Sequence, residues 1–214
     1  MTIAIIPVKK FENAKTRLSP ILDVQGRAHL SELMLQDTLA ALGRARSVSE
    51  IAVVSSDRRA KELAEEHGAT VLAQERDSGV NSAVALGDAH AEKNGAAATL
   101  VVPADLPLLV PTDVDALCAM AGGRCIVICP SLRYDGTNVL LRMPPRVIPT
   151  SYDNNSYEAH VRSARDAKAA VRVAKIERLM FDVDTPEDAR QLASMPDEKI
   201  GAKETAAFLK RMLR

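Results

Sequence analysis

No stretch of this 214-residue chain approaches the run of about 18 apolar residues that marks a membrane-spanning helix. Its first ten residues also lack the apolar core, roughly 7–15 residues long, of a secretory signal, so a cytoplasmic protein is expected. There is no excess of positive charge. The 28 basic and 28 acidic residues balance, which argues against nucleic acid as the main partner but not against a local basic pocket. Cysteine is scarce. Cys118, Cys125 and Cys129 are odd in number and have no histidine nearby, so they fit neither a disulfide framework nor a zinc spacing and read as buried thiols. A Walker A loop, a GxGxxG turn and a GxSxG elbow are all missing, which removes support for P-loop, dinucleotide-binding and serine-hydrolase readings. The four histidines show no metal or triad spacing. His29, His67 and His90 read as helix-surface residues, whereas His160 stands apart because it follows a long polar loop.

What is present is organised around residues 3–20, IAIIPVKKFENAKTRLSP. Ile3 to Ile6 form a short uncharged apolar run, long enough for a buried strand and too short for a helix. Pro7 brings no N–H and is expected to end regular pairing. Lys9, Lys10, Lys15 and Arg17 follow, with Glu12 the one acid among them. A buried strand that delivers cations to its carboxyl end places them where α/β folds bind ligands, and phosphates suit them.

Further on, the pattern predicts helices over 26–42, 57–67, 83–93, 111–120, 156–170, from Pro186, and over 199–214. It predicts strands at 51–54, 70–73, 99–102, 124–129, 137–141 and 171–176. This alternation implies an α/β fold with a mostly parallel sheet. The strands at 124–129 and 137–141 have no helix between them, so at least one antiparallel strand and a mixed sheet are expected. The length suits one domain, 1–214, with a C-terminal helical extension from about residue 197. Met143 to Asn155, with three prolines, is the longest expected loop and thereby a candidate functional one.

Two acidic sites stand at strand ends. Asp105 sits in PADLP, held between two prolines. In FDVDTPED, Thr185, Pro186 and Asp188 make a helix-start signature, which leaves Asp182 and Asp184 free and on one face of an extended segment. Carboxylates so placed suit Mg²⁺, which takes its remaining oxygens from phosphates and water. Together with the cationic loop they match a metal-assisted reaction on a nucleoside triphosphate.

The set IPVKKFENAKTRLSP, GVNSAV, VPADLPLL, DGTNVLL, SYEAH and FDVDTPEDA, spread over most of the chain, resembles the 2-phospho-L-lactate guanylyltransferases of coenzyme F420 biosynthesis. The resemblance implies a three-layer α/β/α nucleotidyltransferase-type fold, a homodimer, and transfer of GMP from GTP to the phosphate of 2-phospho-L-lactate with release of pyrophosphate. Carried onto this chain, it implies that Lys9, Lys15 and Arg17 meet the triphosphate and that Asn81 and Ser82 lie near the guanine. It implies that Asp105, Asp182 and Asp184 hold Mg²⁺, with Lys15, Arg17 and Asp105 catalytic. Thr137 and Ser156 would contact the acceptor. Some relatives have glycine three residues before that serine, and Asp153 stands there in this chain. Two alternatives stay open beside this reading. One is another nucleotidyltransferase of the same fold, acting on phosphoenolpyruvate, 3-phosphoglycerate or a sugar phosphate; the other is a protein that binds GTP without turning it over.

Overall fold

The computed structural model describes residues 1–196, 198 and 200–213. Its centre is β1 (Thr2–Val8), whose Ile3 to Ile6 are fully buried. The strand outlasts the expected stop at Pro7. Thr2 accepts from Ser49 N–H, on the side of the strand after α1, whereas Ile5 accepts from Val102 N–H on the opposite side. By the parallel alternation Pro7 faces the same side as Ile5, where pairing has ended at Ile5, so no ladder bond is lost to its missing N–H.

From β1 the chain runs through α1 (Val24–Leu42), β2 (Glu50–Ser55), α2 (Arg58–Glu66) and β3 (Thr70–Ala73), building outward on one side. α3 (Val80–Lys93) then carries it back across the sheet to β4 (Ala98–Val101), on the other side of β1. Beyond lie α4 (Pro111–Ala119), β5 (Cys125–Pro130), β6 (Thr137–Met143), α5 (Ser156–Asp166), β7 (Ala170–Val173), α6 (Glu177–Met180), α7 (Pro186–Ser194) and α8 (Lys203–Met212). The sheet order is β3-β2-β1-β4-β6-β5-β7, and β6 alone runs antiparallel to its neighbours. The expected mixed sheet is therefore present.

Strand alternation sorts the core into two layers. Ala4, Ile6, Val53, Leu100 and Val127 pack with residues of α1, α2 and α4, while Ile5, Val54, Val101, Ile128 and Leu140 pack with residues of α3 and α5. Gly87 is what lets α3 lie close on the sheet, because a Cβ there would come within 2.7 Å of the Ile5 side chain. A third cluster joins Leu18, Leu30 and Met34 to Phe181, Val183, Leu192, Phe208 and Leu209. It fixes the cationic segment, the start of α1 and the FDVD segment against one another. Helix starts follow the local chemistry: Asp23 and Asp57 cap α1 and α2, and Thr185 and Asp188 close a capping box on α7.

Differences from the sequence expectations are local. α3 begins at Val80 rather than Ala83, β7 spans 170–173 rather than 171–176, and α6 was not anticipated. The last helix begins at Lys203; residues 197, 199 and 214, included in the expected extension, lie outside the described set. Among the described residues no helix is long and apolar enough to cross a membrane.

Candidate active site

The order β2-β1-β4 makes the carboxyl end of β1 a point where the chain departs in opposite directions, and α/β sheets open a crevice there. In this chain the crevice is a cleft of about 940 Å³. Its walls come from the segment after β1, the turn after β4, the β5–β6 loop, the loop before α5 and the segment before α7. Lys9, Lys15, Arg17, Asp105, Thr137, Asp153, Ser156, Asp182 and Asp184 all line it. Residues as far apart in sequence as Lys9 and Asp184 thus share one chamber.

At its centre is Lys15. Its Nζ lies 2.7 Å from Asp105 Oδ2 and 2.7 Å from Asp184 Oδ1, with 10% of the side chain exposed. Its backbone is left-handed, φ 51° and ψ 39°, an uncommon conformation for a residue with a Cβ. Burial alone would favour the neutral amine, but the two carboxylates outweigh it and raise the Lys15 pKa above the ordinary lysine range. For Asp184 burial likewise opposes charge, and Lys15 and then Arg17 overcome it, holding the carboxyl below its ordinary value. Arg17 approaches Asp184 to 3.6 Å while 72% of its side chain stays exposed.

Asp182 is the opposite case. Burial, and then the charges of Asp105 and Asp184, push its carboxyl up to about 6. Lys15 offsets this only in part, and among the described residues no cation forms an ion pair with Asp182. Asn138, on β6, donates to Leu179 O at 3.0 Å and to Asp182 Oδ1 at 3.4 Å, tying the carboxylate to the sheet. A buried cation, three carboxylates and exposed cations in one cleft can take up a polyphosphate and a divalent metal together.

The description "Guanylyl transferase CofC like" matches this chain over residues 2–212. The chain belongs to this guanylyltransferase family. A phosphoenolpyruvate guanylyltransferase from Conexibacter woesei is 38% identical, with 100% of this chain and 97% of that protein covered. Another of that name, from Rubrobacter xylanophilus, is 42% identical over 88% of this chain and 92% of its own length. A 2-phospho-L-lactate guanylyltransferase from Methanothermobacter thermautotrophicus is 34% identical, covering 89% and 83%. Among solved structures, a nucleotidyl transferase from Methanothermobacter thermautotrophicus superposes with a TM-score of 0.64 at 16% identity, covering 90% of this chain and 95% of that one. A 4-diphosphocytidyl-2C-methyl-D-erythritol synthase does so with 0.56 at 15%, covering 89% and 95%. These likenesses show the nucleotidyltransferase-type fold.

The guanylyltransferase cleft differs from the sequence expectation at Asn81 and Ser82, which are not among its lining residues. Gly79, Val80 and Ala83 of the same segment are. Asn81 accepts from Tyr152 N–H at 2.9 Å and donates to Asp153 Oδ2 at 3.4 Å. Its side chain is spent bracing the loop before α5. Lys10, counted with the cationic loop, turns toward Glu12 at 3.8 Å. Asn138 and Arg133 are among the cleft residues not singled out from sequence. Asn138 had a signal, a polar residue directly before the apolar run Val139 to Leu141. Arg133, in the β5–β6 loop, had none.

Among the described residues no three His, Cys, Asp or Glu side chains converge closely enough to hold a metal between them. Asp105 and Asp184 are instead closed on the Lys15 ammonium. The donor set still fits Mg²⁺, since that ion takes about one or two protein carboxylates and completes its shell with phosphate and water oxygens.

Proposed function

We propose that this guanylyltransferase transfers GMP from GTP to the phosphate of a small phosphorylated carboxylic acid, with phosphoenolpyruvate as the first candidate and a place in the making of coenzyme F420. The observation that carries the reaction type is the cleft that unites Lys15, Arg17 and the three aspartates in a chain of this family. Several relatives named for phosphoenolpyruvate support that acceptor. The relative named for 2-phospho-L-lactate, at 34% identity, supports the second reading.

In this reaction an oxygen of the acceptor phosphate forms a bond to the α-phosphorus of GTP, and the bond from that phosphorus to the bridging oxygen breaks as pyrophosphate leaves. The acceptor is already anionic at neutral pH, so no general base is needed. The obstacle is repulsion between two anions. Lys9 and Arg17 supply exposed positive charge for the triphosphate, and Lys15 supplies a fixed charge that costs no reorganisation. About one or two of Asp105, Asp182 and Asp184 would hold Mg²⁺, which takes the rest of its shell from phosphate and water and when bound neutralises phosphate charge and polarises the reacting phosphoryl group.

The acceptor belongs at the other end, beside Thr137 and Ser156. Ser156 opens α5, whose preceding Asn155 gives it no side-chain cap, so the first-turn N–H groups are not taken by one. A helix start of this kind favours an anion. Thr137→Val should raise the KM for the phospho-acid about tenfold, and Ser156→Ala by less because backbone donors persist, with the KM for GTP nearly constant in both. Steady-state kinetics with each substrate varied in turn checks this. A loss confined to GTP would reverse the assignment of the two ends.

Pyrophosphate release measured with GTP and separately with phosphoenolpyruvate, 2-phospho-L-lactate and 3-phosphoglycerate tests the whole proposal. Highest kcat/KM with phosphoenolpyruvate is expected. Preference for 2-phospho-L-lactate moves the assignment to the second reading, and no release with any of them ends the acceptor class.

A further inference from the structure

His160 does not line the cleft and is 0% exposed, yet both of its ring nitrogens are engaged. Nε2 lies 2.9 Å from the backbone N–H of Ser151, and Nδ1 lies 3.0 Å from Thr137 Oγ1. A backbone N–H can only donate, so Nε2 is the unprotonated nitrogen. The ring's one proton must then sit on Nδ1, and the hydroxyl of Thr137 accepts it. Burial, and then the nearby Arg142 guanidinium, push His160 down to about 4, which keeps the ring neutral. No other hydrogen bond of the Thr137 hydroxyl occurs among the described residues. Its own hydrogen is free, and Thr137 lines the cleft.

We propose that His160 is a positioning residue that fixes the Thr137 hydroxyl as a hydrogen-bond donor toward the anionic acceptor. Without the ring, that hydroxyl could rotate and turn a lone pair toward a phosphate or carboxylate, which repels it. The same ring ties Ser151, in the loop between β6 and α5, to the strand that bears Thr137, and the Tyr152 ring packs edge-on against it at 5.0 Å between centroids. The role of Thr137 as an acceptor contact is the premise, taken from the proposed function.

Long-range ¹H–¹⁵N NMR of histidine-labelled protein reads the tautomer directly, with His160 assigned by the signal lost in His160→Gln. A neutral ring protonated on Nδ1 throughout about pH 5.5 to 8 is expected; an Nε2–H tautomer or an imidazolium overturns the proposal. In kinetics with phosphoenolpyruvate, or 2-phospho-L-lactate if that proves the better acceptor, His160→Phe should raise the acceptor KM about tenfold and leave the GTP KM within about twofold. Glutamine, which can donate and accept at once, should recover most of that loss. The double variant with Thr137→Val should be no worse than Thr137→Val alone. Full additivity, or a loss placed on GTP, overturns the proposal. A defect in Thr137→Val with none in His160→Phe overturns it while leaving the acceptor reading intact. A wild-type acceptor KM in Thr137→Val ends that reading and this proposal together. Should His160→Phe fail to fold, the glutamine variant and the tautomer decide.

Discussion

Asp182→Asn should lower turnover by about a hundredfold or more while leaving the magnesium-free protein as stable as before at neutral pH, or more so. The change keeps the side chain's shape and an oxygen for the Asn138 amide, which reaches Asp182 Oδ1 at 3.4 Å. It removes a carboxylate that feels the charges of Asp105 and Asp184 and has no ion pair of its own among the described residues. That carboxyl has been pushed up to about 6, first by burial and then by those two charges. In the unfolded chain it ionises near about 3.9. The native state therefore holds this proton more tightly. Its contribution is most favourable below the unfolded value and is lost as pH rises through about 6. Asparagine never ionises and escapes that loss. Turnover across a magnesium titration, with melting temperatures at pH 5 and pH 7.5 in the absence of metal, checks both halves. Full activity at ordinary magnesium would remove Asp182 from the site.

The sheet and most of its helices were legible because their signals are local. Ile3 to Ile6, Ile51 to Val54 and Thr70 to Ala73 are short apolar runs; Asp57 and the Thr185–Asp188 box mark helix starts by side-chain chemistry, and Gly68 follows a helix end with a positive φ, none of which needs a distant partner. The stop expected at Pro7 failed for a reason that sequence does not carry. Whether a missing N–H matters depends on which neighbour that side of the strand faces, and pairing with β4 has ended before Pro7. The single turn of α6 was missed because four residues are too few for a periodicity.

In the cleft, the identities of the charged residues were legible and their pairing was not. Nothing in the spacing of Lys15, Asp105 and Asp184 says that the lysine sits between the two acids, because that geometry is made by three loops meeting at the switch point. Asn81 shows the same limit. As a polar residue in a family segment it pointed to the base, while the fold turns it onto Tyr152 and Asp153. His160 had a faint signal, its place after the long polar loop. The hydrogen bonds on its two nitrogens come from partners 9 and 23 residues away in sequence.

Lys15→Met and Arg17→Ala are therefore expected to part company. On charge alone the two cations are equivalent, and each should weaken GTP binding by roughly 10- to 100-fold through loss of a charge-assisted contact. On stability they differ. Methionine keeps most of the Lys15 stem and removes the ammonium, leaving Asp105 and Asp184 to face each other and Asp182 with no cation between them. Breaking a fully buried ion pair costs about 3–5 kcal/mol. Asp105 and Asp184 remain 26% and 40% exposed. Solvent screening at that exposure cuts the expected loss to roughly 1–3 kcal/mol. Arg17 lies 3.6 Å from Asp184 with 72% of its side chain in solvent. An exposed pair of that kind contributes about 0–1 kcal/mol, so Arg17→Ala should melt close to the unsubstituted protein. Thermal melts without ligand and isothermal titration with a non-hydrolysable GTP analogue separate the two quantities. The stability lost in Lys15→Met should be partly recovered by adding Asp184→Asn, which removes one stranded charge, whereas GTP affinity should not return. An unchanged melting temperature in Lys15→Met would mean that its two ion pairs contribute nothing to the fold. Unchanged GTP affinity in both single variants would return the segment after β1 to a solvated basic loop.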